Sequence, residues 1–142
     1  MGTEDPTAVA REVVEAFNAA DWDRFRAVLA DDVVYEETGT GRRVEGSDAY
    51  VRLCQGWRQA FPDVTGTIQR AVAGGDTAAA EVAWAGSHHG ALETPGGTVP
   101  ATGRRVEAAA TLWVTVRGKA TAIRHHLDVL TLLRQVGALP GA

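Results

Sequence analysis

Near its C-terminus the chain carries IRHHLDVLTLLRQVG, starting at Ile123, in which two histidines and an aspartate interrupt an apolar run. These residue types move protons or hold metal ions, and both tasks depend on which way they point. Side chains on a strand alternate between faces. Arg124, His126 and Asp128 therefore share one side, and Ile123, His125 and Leu127 the other. A second histidine pair closes an earlier strand, TAAAEVAWAGSHHG, where Val82, Trp84, Gly86 and His88 share a face. The Val82/Trp84 side is the more apolar, so His88 is expected to point inward with it.

A third strand, RRVEAAATLWVTV, aligns Val106, Ala108, Ala110, Leu112 and Val114 on one apolar face. Alanines on a concave sheet leave room. The expected result is an apolar pocket with His88, His126 and Asp128 on its wall. Ala108, Ala110 and Leu112 would form its floor, with Trp57 and Trp84 as further substrate contacts. Such a pocket suits a flat, largely apolar ligand with a few polar handles. The last strand leaves its facing open: pattern alone puts Ile123 and Leu127 inside and turns His126 and Asp128 out. Asp128 is also placed to cap the helix VLTLLRQ. His88, His126 and Asp128 nominally make a two-histidine, one-carboxylate metal set. Adjacent histidines on a strand face opposite ways, so neither pair chelates one ion, and no metal is expected.

The elements that must position these groups are readable from periodicity. DPTAVAREVVEAFNAAD is a helix with Ala10, Val13, Val14 and Phe17 in one stripe, Asp5 as cap and Pro6 at its first position. Asp21 caps a short second helix. VVYEET is a strand and GTGRRVEG a turn-rich connection. Gly46-Ser47 opens a third helix with Tyr50, Leu53, Cys54, Trp57 and Phe61 on one face, stopped by Pro62. From Val64 the period becomes two. Strands alternate with turns at Gly74-Gly75-Asp76 and Arg117-Gly118-Lys119, and ALETPGGTVPATG is a loop. Helices followed by consecutive strands predict an α+β fold, with helices on one face of a mostly antiparallel sheet.

The 142 residues suit one domain, spanning 1–142. A net charge of −4, with no long basic run, argues against nucleic acid. No apolar run reaches the roughly 18 residues of a membrane span. The N-terminus lacks an apolar signal core, and Cys54 is the only cysteine, so a reducing cytoplasm is the expected compartment. Cys54 reads as a small buried hydrophobe. No phosphate loop, dinucleotide fingerprint or nucleophile elbow is present.

Gly86-Ser87-His88-His89-Gly90, Thr102-Gly103-Arg104, and Asp128 followed by a Leu-rich helix and Gln135-Val136-Gly137 together resemble the SnoaL-like polyketide cyclase family. That family belongs to the nuclear-transport-factor-2-like superfamily. The resemblance spans nearly the whole chain and implies a cone-shaped α+β barrel. It implies a cofactor-independent cyclase, or a related isomerase, that closes a ring by aldol-type chemistry on a polyketide-like small molecule. It also implies that Asp128 faces the cavity as acid/base, with His88 or His126 donating to the enolate oxygen. Burial would raise the pKa of such a carboxylate and make it a better base. The family also implies alternatives: a hydroxylase or epoxide-opening enzyme that activates water, or a small-molecule-binding dimer without catalysis. A homodimer is expected through the outer sheet face around Trp113. His89 and His125 are expected to point away from the pocket.

Overall fold

The computed structural model describes residues 5–139. Helix α1 (Pro6–Ala19) starts where the Asp5 carboxylate accepts from the Thr7 amide, with Pro6 in the first turn. Helix α2 (Trp22–Ala27) is capped by Asp21 through the Arg24 amide. Strand β1 (Leu29–Thr38) turns into β2 (Arg42–Glu45), and α3 (Ser47–Ala60) follows. The chain continues through β3 (Thr65–Gly74), β4 (Thr77–Ser87), the short β5 (Leu92–Thr94) and β6 (Gly97–Val99), β7 (Arg105–Arg117), β8 (Lys119–Leu127) and α4 (Val129–Gln135).

Six strands form one open sheet in the order β2-β1-β8-β7-β4-β3, and β5-β6 form a separate hairpin. Every neighbouring pair in the large sheet is antiparallel except β1 and β8, which run parallel. Two expectations are corrected. GTGRRVEG holds an edge strand, with Val44 paired to Tyr35. ALETPGGTVPATG holds the β5-β6 hairpin, with Leu92 opposite Val99.

The sheet curves around the helices without closing. Helix α1 packs on β3, β4 and β7, and α3 on β1 and β2. The core lies between them: Val9, Val13, Val14 and Phe17 from α1 and Tyr50, Val51 and Cys54 from α3 meet Val33, Tyr35, Val82, Leu112, Val114 and Ile123 of the sheet. The alternation on β7 is regular, with Val106, Ala108, Ala110, Leu112, Val114 and Val116 buried. No helix among the described residues is long and apolar enough to cross a membrane.

Candidate functional site

Between α1, α3 and the concave face of the sheet lies a cavity of about 720 Å³, counting its open mouth. Its wall is almost wholly apolar. Ala108, Leu112, Trp57 and Trp84 lie on it, together with Phe17, Tyr35, Cys54, Phe61 and His125. Ala110 is buried in the floor of the sheet but does not line the cavity.

The three residues expected on the wall are elsewhere. His126 and Asp128 are exposed, on the outer side of the sheet and at its end. The reason is register. Residues directly opposite on an antiparallel ladder share a face. Ala110 faces Leu127, Leu112 faces His125 and Val114 faces Ile123, so the apolar face of β7 carries Ile123, His125 and Leu127 inward with it. The Asp128 carboxylate caps α4, accepting from the Thr131 amide at 3.1 Å and the Thr131 hydroxyl at 2.7 Å. Those bonds lower its pKa, the opposite of what a buried general base needs.

His88 does point inward and is fully buried, but it lies behind the cavity wall rather than on it. Its Nδ1 accepts from the Thr102 amide at 3.3 Å and lies 2.9 Å from the Thr102 hydroxyl, which leaves Nε2 protonated. That Nε2 has no hydrogen-bond partner. Burial lowers the pKa of His88, which favours the neutral ring. The stretch around it is a clamp. The amides of His89 and Gly90 both donate to the Ala60 carbonyl at 3.0 Å, and the Ser87 amide donates to Asp63 at 2.7 Å. A Cβ on Gly90 would lie 2.0 Å from the Gln59 carbonyl oxygen, so only glycine fits there. Among the described residues no three His, Cys, Asp or Glu side chains gather as a metal-binding cluster, so the set His88, His126, Asp128 is not assembled.

The polar end of the cavity is built from residues that sequence reasoning passed over. His125, expected to face away, is 7% exposed and lines the cavity. Its Nε2 accepts from the Trp84 indole N–H at 3.2 Å. The neutral ring therefore carries its proton on Nδ1, which lies 2.8 Å from the Tyr35 hydroxyl. Tyr35 in turn donates to Glu37 Oε2 at 2.5 Å. The parallel pairing of β1 and β8 sets Glu37 beside His125 and Tyr35 beside Ile123. Four groups thus form one line: Trp84, His125, Tyr35, Glu37.

Glu37 is 1% exposed and ionised. Burial pushes its pKa up, but the His125 imidazole, the Thr40 and Tyr35 hydroxyls and the Arg42 charge outweigh burial and hold it at about 2. Thr40 donates at 2.6 Å, and Arg42 grips Oε1 through Nε at 3.0 Å and a terminal nitrogen at 2.8 Å. The Tyr35 phenol is pushed well above its usual range by burial and by Glu37. No proton settles on Glu37 near neutral pH, so the line orients His125 without relaying a proton outward. Cys54 also lines the cavity, but burial raises its thiol far above neutrality, which makes it a packing residue.

One signal for this site was present in the sequence. The alternation in VVYEET, with Glu36 turned out, turns Tyr35 and Glu37 in.

Comparisons with known proteins agree with this architecture. IdmH, a candidate polyketide cyclase from Streptomyces antibioticus, is similar at 29% identity with a TM-score of 0.79, covering 94% of this chain and 99% of its own. AclR, a candidate hydroxylase from Streptomyces galilaeus, is similar at 26% identity with a TM-score of 0.78, covering 95% of this chain and 82% of its own. A candidate ketosteroid isomerase from Kribbella flavida is similar at 25% identity with a TM-score of 0.67, covering 89% of this chain and 79% of its own. A comparison with curated proteins finds no match. The helices on a curved, unclosed sheet are the cone-shaped α+β fold of nuclear-transport-factor-2-like proteins. The sequence profile of SnoaL-like polyketide cyclases matches residues 7–136, and the chain belongs to that family.

Proposed function

We propose that the chain is a cofactor-independent polyketide cyclase, or a related isomerase, in which His125 is the acid/base. The observation that carries this reading is the His125 Nε2 lone pair on an otherwise apolar cavity wall, backed by Tyr35 and an ionised Glu37. Nε2 takes the proton from a carbon flanked by carbonyls. The C–H electron pair passes into the enolate, which attacks a second carbonyl of the same molecule. The imidazolium formed is stabilised by Tyr35 at Nδ1 and by the Glu37 charge 3.8 Å away. It then returns its proton to the new alkoxide. The dry wall keeps water from quenching the enolate.

His125→Asn tests this. With a polycyclic β-ketoester in deuterated water, exchange at the acidic carbon should fall by roughly 10²- to 10⁴-fold, while circular dichroism stays unchanged. Unaltered exchange would refute the role of His125. The similarity to AclR favours a second reading, hydroxylation of a polycyclic substrate. Oxygen-labelled water and dioxygen would separate the two, since ring closure incorporates neither.

We also propose a homodimer through the outer sheet face. Trp113 is 46% exposed there and Val72 61%, and both flank Ala79 in one cross-strand row. Such a row of apolar side chains on an uncovered sheet is a natural contact surface.

A further inference from the structure

We propose that Trp84 is a second catalytic residue, whose indole N–H binds the oxygen on which the enolate charge develops; this rests on His125 acting as the base. A direct indole-to-imidazole hydrogen bond supports it. Trp84 Nε1 and His125 Nε2 lie 3.2 Å apart, one a donor and the other an acceptor, and both side chains line the cavity. An enolisable ketone presents the complementary pair: an oxygen that accepts and, two bonds away, an acidic carbon that gives up its proton. These two atoms lie closer together than the two nitrogens do. A ketone can therefore take the Trp84 N–H on its oxygen and set its acidic C–H against the freed His125 Nε2 lone pair. As the proton leaves carbon for His125 Nε2, the electron pair moves to oxygen, opposite Trp84 Nε1–H. The Trp84 N–H keeps an acceptor with or without substrate, so it is not left bare in an apolar wall.

The chain also fixes the indole where this role requires it. Gly66 lies opposite Trp84 on β3, and a Cβ there would sit 2.5 Å from the ring. The Asn18 side chain holds the Gly66 backbone at both ends, accepting from its amide and donating to its carbonyl, each at 2.8 Å. Phe17 packs edge-on against the indole, with ring centroids 5.2 Å apart. Trp84 differs here from Trp57, which also lines the cavity but lies under the Arg42 guanidinium at 5.1 Å.

The test uses 2-naphthol, whose oxygen imitates the enolate, and naphthalene, which has none. In the wild-type chain labelled with ¹⁵N-tryptophan, 2-naphthol should shift the Trp84 Nε1–H signal downfield, and naphthalene should leave it near its free position. That measurement needs no variant to fold, and Trp84→Phe serves to assign the signal. Trp84→Phe should weaken 2-naphthol binding by about ten-fold or more while naphthalene binding holds. Equal movement of the signal with both ligands, or equal affinity of both chains for 2-naphthol, would overturn the proposal. His125→Asn separates the two readings. If that variant still catalyses deuterium exchange, the base is misassigned, whatever the indole signal does.

Discussion

Replacing Glu37 by glutamine keeps the shape of the side chain and removes its charge. Glu37 is buried, and its pKa falls from an ordinary 4.5 to about 2 in the folded chain. The interval corresponds to roughly 3 kcal/mol of folding free energy, at 1.36 kcal/mol per pH unit. The sign follows from the lowered value. Above pH 4.5 the carboxylate is ionised in both states, and the full contribution is present. As pH falls from 4.5 toward 2, the unfolded chain takes up the proton first and the contribution is lost. Urea unfolding of wild type and Glu37→Gln at pH 6 and pH 3 isolates this effect, because the other carboxylates titrate in both chains and cancel. The stability gap between the two chains should shrink by roughly 2 kcal/mol on going to pH 3. A gap that stays constant over that range would show that Glu37 is not held ionised by His125, Thr40, Tyr35 and Arg42, and the orientation of His125 would lose its explanation.

Asp128→Ala should lower Tm by a few degrees through loss of the α4 cap, with deuterium exchange unchanged, because its carboxylate is occupied by Thr131; a collapse of exchange without unfolding would restore Asp128 as the base. Gly66→Ala should cost about 1–3 kcal/mol in urea unfolding and move the Trp84 indole signal, since the new Cβ falls on the ring. Trp113→Glu should turn a dimer into a monomer by analytical ultracentrifugation while leaving the cavity intact; a mass unchanged from wild type would remove the sheet face as the interface.

The helices were legible because their signals are local. Asp5 with Pro6 and Asp21 cap where expected, and the stripes of α1 and α3 are the stripes that pack. The inner faces of β4 and β7 were legible for the same reason, since their alternation is unbroken. The β1–β8 contact was not. It joins residues about ninety positions apart, Glu37 with His125 for example, in the parallel orientation. Nothing local marks that pairing, so two halves of one hydrogen-bonded line read as unrelated residues. The edge strand β2 escaped because its four residues, Arg42 to Glu45, are mostly charged. Yet it supplies Arg42, one of the partners that keep Glu37 ionised.

The facing of His125 turns on a single residue. The tight turn at Gly118 pairs Arg117 with Lys119 and Val116 with Ala120. Extended without interruption, that register would set Leu112 opposite Arg124 and Ala110 opposite His126. Arg124, His126 and Asp128 would then face the cavity, as the family resemblance implied for Asp128. Between Val116 and Thr115 the register slips by one, and Thr115 pairs with Ala122. The extra residue is Thr121, whose hydroxyl donates to the Thr115 carbonyl at 3.4 Å. A one-residue bulge moves every later side chain to the opposite face. The burial of β8 records the slip: Ala120 and Ile123, three apart rather than two, are both buried. The exchange is favourable because Ile123 and Leu127 gain an apolar wall while Arg124 keeps its water. It brings inward one imidazole, opposite the strand that carries its phenol and carboxylate. The proposed acid/base role of His125 thus rests on a slip near the start of the last strand, before the residue that it turns inward.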